Sequence, residues 1–197
     1  ALRTALASAR EGLSTEAALQ ENDRTAPRVE LLAELEGAVG VIGTSGTIRS
    51  GRYQEGLAAG GLGADRILVQ ECPLFVPLAE EGWTDNEICR LTVASYLGDL
   101  AGTDLDTLVL GCTHYPLLKE AIAEALGPGV TLIDSAESMA GQVADLLRRE
   151  GLERGDSGAD GDQQYFVTDA SDRFREVGER CLGRAIGKLE LVDIVVK

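Results

Sequence analysis

From Ala38 onward, short apolar runs rich in Val, Ile and Leu alternate with longer stretches of helical periodicity. This alternation confines the chain to βαβ units, because consecutive parallel strands need a long crossover and a helix supplies it. The runs at 38–44, 66–70, 107–110 and 130–134 read as buried strands. They are mostly continuous in hydrophobicity, which fits a sheet covered on both faces. The expected fold class is α/β: a mainly parallel sheet with helices on both faces, and 197 residues allow one such α/β domain or one and part of a second.

The intervening stretches carry their own signals. Glycines around Gly46 open a helix expected to run through Leu57. Thr84 and Glu87 have capping-box spacing, and the apolar stripe that follows includes Ile88, Leu91 and Leu100. A helix is expected over 116–126, and Ser135 is positioned to cap another. Pro73 and Pro77 argue against an ordinary helix across 72–82. Residues 1–37 read as a helical N-terminal segment, with Leu2, Leu6, Ala9 and Leu13 at helical spacing. Residues 38–150 form the α/β domain. Residues 151–197 form a C-terminal segment: a polar, glycine-rich loop at 154–164, then strand, helix and an apolar strand over 189–196.

Composition removes several function classes. The net charge of −15 repels phosphate backbones and speaks against direct nucleic-acid binding. No apolar run approaches the roughly 18 residues of a membrane span. A single histidine and the lack of a Cys-x-x-Cys pair speak against a structural zinc site. The four cysteines are widely spaced, as reduced thiols of a cytoplasmic protein are. Cys72, Cys89 and Cys181 read as packed core thiols.

Two strand-to-helix turns carry candidate chemistry. Gly111-Cys112-Thr113-His114-Tyr115-Pro116 places a thiol and the only imidazole after the 107–110 strand. Open α/β sheets bind ligands at that end of their strands. A helix starting at Pro116 would aim its free N–H groups at Cys112 and favour a thiolate. A cysteine after a strand is more often a packed hydrophobe, and spacing alone leaves both readings open. Gly43-Thr44-Ser45-Gly46-Thr47 offers hydroxyls and backbone N–H groups suited to a carboxylate, or simply a helix cap. The Glu80–Glu81 pair closes the proline-rich loop, either as a solvated turn or with one acid at the cleft.

Taken in order, VGVIGTSGTIRSGRY, ECPLFVPLAEEGW and LVLGCTHYPLL resemble the glutamate racemase family, and the tail YFVTDASDRFREVGERCLGRAIGKLELVDI resembles its C-terminus. The resemblance spans residues 38–197. It implies an isomerase that interconverts L- and D-glutamate without cofactor or metal, supplying D-glutamate for peptidoglycan in the cytoplasm. Two cysteines on opposite sides of the α-carbon exchange its proton in that family. Cys112 matches the second of them, His114 the histidine assisting it, and Glu80 the accessory carboxylate. Thr113, His114, Thr44 and Thr47 match substrate-binding positions. The partner implied is glutamate itself, with no membrane and with a homodimer compatible.

The departures are as informative. The Asp-Ser motif with which the family begins and its Cys-Asn-Thr motif, which bears the first catalytic cysteine, do not occur ahead of Ala38, and residues 1–37 contain no cysteine. Cys72 is no substitute by motif, since the family carries its own cysteine-proline pair there. The chain therefore reads as partial, with the C-terminal segment expected to pack on a missing first domain. The alternative is a catalytically inactive, racemase-like binding module or regulator.

Overall fold

The computed structural model describes residues 35–153, 163–169 and 171–193. The helical reading of residues 1–34 and most of the 154–164 loop lie outside them. The chain divides into two compact units between Leu152 and Glu153.

The first unit is a parallel sheet of β1 (Ala38–Gly43), β2 (Ile67–Glu71), β3 (Leu105–Leu110) and β4 (Thr131–Asp134), in the order β2-β1-β3-β4. All six residues of the inner strand β1 are buried, the consequence of covering both faces. Its side chains alternate between two cores. Val39 and Val41 join Ile48, Leu57, Val109 and Ile133 on one face. Ile42 joins Phe75, Val93, Leu97, Leu108, Leu110 and Ile122 on the other.

Helices occupy both faces, as expected, but several boundaries differ from the sequence reading. The helix expected to run from Gly46 through Leu57 is two: α1 (Ser45–Arg49) and α2 (Arg52–Ala59). Ser50 donates its hydroxyl to the Thr47 carbonyl at 2.7 Å, and Gly51 takes a left-handed φ of 72°, so the chain turns between them. The proline-rich stretch contains α3 (Phe75–Glu81) after all. Pro77 lies in its first turn, where a missing N–H breaks no intrahelical bond. Helix α4 (Glu87–Ala101) is capped by Asn86, not Thr84; the Asn86 side chain accepts from the Cys89 N–H at 2.8 Å. Its buried stripe is Cys89, Val93, Leu97 and Leu100, while Ile88 and Leu91 are exposed. The helix expected over 116–126 is a 3-10 turn at Tyr115–Leu118 followed by α5 (Lys119–Leu126).

Helix α6 (Ser135–Arg149) starts from Asp134, not Ser135, because the Asp134 carboxylate accepts from the Glu137 N–H at 2.8 Å. Asp134 is nearly buried and also meets the Lys119 ammonium at 3.0 Å. Burial works against its ionisation, yet the Glu137 N–H and Lys119 hold its carboxyl below the usual range. Burial likewise disfavours the Lys119 cation, and Asp134 and Glu137 outweigh it, raising that pKa.

The second unit holds β5 (Tyr165–Val167), α7 (Ser171–Leu182) and β6 (Leu189–Leu191). The two strands pair in parallel as a sheet of their own, so the terminal strand does not extend the first sheet. Cys181 is exposed on α7, which corrects its reading as a core thiol; this short unit buries only part of its helix.

Candidate active site

The order β2-β1-β3-β4 creates a switch point. The chain leaves β1 toward β2 on one side and leaves β3 toward β4 on the other, opening a crevice at the carboxyl ends of β1 and β3. Thr44 follows β1 directly, and Cys112 follows β3 after Gly111. The Gly111 N–H ties the end of β3 to β1 by donating to the Ile42 carbonyl at 2.8 Å, and the Cys72 N–H ties the segment after β2 to the end of β1 by donating to the Gly43 carbonyl at 2.9 Å.

Glycine is required at position 111. A Cβ there would lie 2.8 Å from the Ile42 oxygen and 3.2 Å from the Tyr53 ring. Tyr53, brought there by the turn between α1 and α2, is a site neighbour that the sequence reading gave no role. Burial pushes its phenol up, and the nearby Cys112 pushes the same way. Its only signal in the sequence was its place at the end of the VGVIGTSGTIRSGRY stretch.

Cys112 is half-buried. Its Sγ lies 3.9 Å from Nδ1 of His114, and the other ring nitrogen, Nε2, lies 3.3 Å from Oε1 of Glu80. A carboxylate at Nε2 favours the tautomer with its proton there, leaving the Nδ1 lone pair toward the thiol. The line from thiol to imidazole to carboxylate can therefore accept the thiol proton and steady the resulting imidazolium. Contrary to the expectation from sequence, no helix starts at Pro116 to aim its N–H groups at Cys112: a 3-10 turn intervenes and α5 begins only at Lys119.

Thr113 is exposed, with Oγ1 3.5 Å from His114 Nδ1, the outer limit of a hydrogen bond. Thr44 caps α1: its hydroxyl accepts from the Thr47 N–H at 3.3 Å and lies 3.0 Å from the Thr47 hydroxyl. Thr44 and Thr47 thus form a hydroxyl pair at the end of β1, beside the strand that delivers Cys112. Cys72 is fully buried, and burial pushes its thiol up to about 12. Cys89 is buried and raised for the same reason.

The segment after β2 is joined to the Cys112 loop by Tyr115. Its buried hydroxyl donates to the Cys72 carbonyl at 2.8 Å, and its ring meets Phe75 edge-on at 5.2 Å between centroids. Burial pushes the Tyr115 phenol up strongly. Among the described residues, no group of three His, Cys, Asp or Glu side chains converges as a metal site. Nor is any described helix long and apolar enough to cross a membrane.

The model of the Asp/Glu/hydantoin racemase family matches residues 25–143. The chain belongs to that family. Among curated racemases, the glutamate racemase of Geobacter metallireducens is 49% identical over 158 residues, which are 80% of this chain and 58% of that protein. That of Syntrophus aciditrophicus is 44% identical over 158 residues, 80% of this chain and 57% of that protein. The chain thus spans somewhat more than half the length of the curated racemases it matches. Among solved racemases, the Francisella tularensis glutamate racemase in complex with D-glutamate superposes with a TM-score of 0.72 at 33% identity, covering 84% of this chain and 60% of that one. A glutamate racemase isoform from Bacillus anthracis gives a TM-score of 0.73 at 32% identity, covering 97% of this chain and 73% of that one. The family match begins at residue 25, ahead of the Ala38 boundary read from the sequence.

Proposed function

We propose that this chain is part of a glutamate racemase, with Cys112 exchanging the α-proton of glutamate on one face of the α-carbon. The observation that carries the reading is the line Cys112–His114–Glu80 at the β1/β3 switch point, with contacts of 3.9 Å and 3.3 Å. His114 takes or returns the thiol proton, and Glu80 orients the imidazole. Thr44, Thr47 and Thr113 offer hydroxyls to the substrate's charged groups. The α-proton of an amino acid is far less acidic than a thiol, so donors preorganised at the adjacent carboxylate carry part of the work. Support comes also from the glutamate racemase relatives and from the D-glutamate complex of the Francisella protein.

The wider role in this reading is cofactor-independent supply of D-glutamate for peptidoglycan and cell shape, in the cytoplasm. Residues 38–150 carry the Cys112 half of the site, and 151–197 belong to a second α/β sheet. Full racemisation needs a second acid on the opposite face. Cys72 does not qualify, because it is sealed in the core and burial, by pushing its thiol up to about 12, makes it a reluctant proton donor. With Cys72 sealed in the core, the second reading is a catalytically inactive module that binds glutamate without exchanging its α-proton.

The test is incubation with L-glutamate and, separately, D-glutamate in D₂O, following α-proton loss by NMR and handedness by circular dichroism. Exchange of one enantiomer without inversion is expected. Inversion would reveal a second acid within the chain. Saturable binding without exchange would favour the binding-module reading, and neither binding nor exchange would sink both.

A further inference from the structure

The contact between Glu80 and His114 joins two segments from different βα units, yet its side chains are 36% and 28% exposed. A partly hydrated ion pair contributes too little to hold two segments in register. Something buried must fix them, and Tyr115 is placed to do so.

We propose that Tyr115 is a positioning residue that clamps the Glu80-bearing segment to the His114-bearing loop and thereby sets the Glu80–His114 contact. Its three attachments converge on both sides of that contact. The Tyr115 N–H donates to the Cys112 carbonyl at 3.2 Å, fixing the turn that holds the thiol and imidazole. The Tyr115 hydroxyl donates to the Cys72 carbonyl at 2.8 Å. That same carbonyl accepts from the Phe75 N–H at 3.1 Å, at the start of α3. The Phe75 ring stands edge-on to Tyr115 at 5.2 Å and to Tyr96 of α4 at 5.5 Å, so the clamp is backed by a second helix. Glu80 follows on α3, about 7.5 Å along the axis from Phe75 at the usual helical rise. His114 is the immediate neighbour of Tyr115. A slip at the buried hydroxyl therefore moves Glu80 and His114 relative to one another, whereas a purely packing role for the ring would not need the oxygen.

The proposal deepens the racemase reading and takes its geometry from that site, but its test does not require activity. His114 is the only histidine in the chain, so its ring ¹⁵N signals are unambiguous and report which nitrogen bears the proton and what it faces. Glu80→Gln, which keeps the shape and removes the charge, gives the reference displacement of those signals. Tyr115→Phe, which keeps the ring and removes the hydroxyl, is expected to move them in the same direction. Tyr96→Phe, in the same aromatic row, is expected to leave them in place. Coincidence of the Tyr115→Phe signals with those of the unaltered chain would overturn the proposal, as would an equal displacement by Tyr96→Phe. A second measurement needs no variant. A hydroxyl bonded to a buried carbonyl exchanges slowly, so the Cζ carbon of Tyr115 should give two resolved signals in mixed H₂O and D₂O. A single averaged signal overturns the clamp. Absence of glutamate exchange alongside a displaced His114 signal would count against the racemase reading and leave the clamp standing.

Discussion

Nε2 of His114 lies 3.3 Å from Oε1 of Glu80, joining the loop after β3 to the helix after β2. Neither residue has a local reason to meet the other. Cys112 lies on the opposite side of the imidazole, and in the proposed racemase reading the contact makes its thiol one end of a proton path. Cys112→Ser is expected to stop α-proton exchange. His114→Asn should slow it by roughly 10²- to 10⁴-fold, the usual contribution of a positioned acid or base. Glu80→Gln should cost less than His114→Asn, because it removes the orienting partner and leaves the imidazole. Equal rates for His114→Asn and the unaltered chain in the D₂O assay would remove His114 from the path.

The four cysteines should separate into two classes toward an aromatic disulfide reagent at pH 8. Cys112 and Cys181 are open to reagent, whereas Cys72 and Cys89 are buried. Reaction of the buried pair requires the domain to open against its own stability, so it should be slower by more than about a thousandfold. Mass spectrometry of the labelled peptides checks this. Comparable labelling of Cys72 and Cys112 would contradict the placement of Cys72.

Gly111→Ala tests the tie between β1 and β3. Its Cβ would sit 2.8 Å from the Ile42 carbonyl oxygen, a backbone atom that cannot turn aside. The expected loss is about 1–3 kcal/mol, and each 1 kcal/mol lowers the melting temperature by about 2–4 °C in a chain of this size. Gly46→Ala is the control: nothing lies within 4 Å of its Cβ, and the site is helical. That variant should melt no lower than the parent, and a common loss in both would refute the steric account.

The Lys119–Asp134 pair should give stability a pH window. The folded Asp134 pKa is lowered, so its contribution is present above the unfolded value near 3.9 and disappears as pH falls through the folded one. The folded Lys119 pKa is raised, so its contribution is present below about 10.4 and disappears as pH rises through the folded value. The melting-temperature gap between the parent and Asp134→Asn should be flat from about pH 5 to 9 and close toward pH 2.5. An undiminished gap at pH 2.5 would show that the carboxylate charge is not what Asp134 contributes.

What the sequence determined by itself was the sheet. Continuous apolar runs can be satisfied only by burial on both sides, so the four strands of the first sheet were legible within one or two residues, and so was the parallel fold class. The terminal run was not, since β6 ends at Leu191 and the strand was expected over 189–196. The strand-to-helix turn at Cys112 was legible for the same reason, because the run before it ends in Gly111. Helix details were less so, since they depend on competition among neighbours. Thr84 and Asn86 can both cap, and in the fold Asn86 does so, ahead of a helix whose Cys89 and Val93 are buried. Helix α4 is apolar on several sides, so its periodicity could not tell the stripe of Cys89, Val93, Leu97 and Leu100 from Ile88 and Leu91, which stay exposed. Pro77 looked like a breaker, and it is harmless because the first turn needs no N–H from it. The pairings that make the site came only with the tertiary structure. Glu80 meets His114, Tyr115 reaches Cys72, and Tyr53 lies against Gly111, in each case across separate βα units. No local preference encodes such contacts; the order in which the strands pack brings those residues to one end of the sheet.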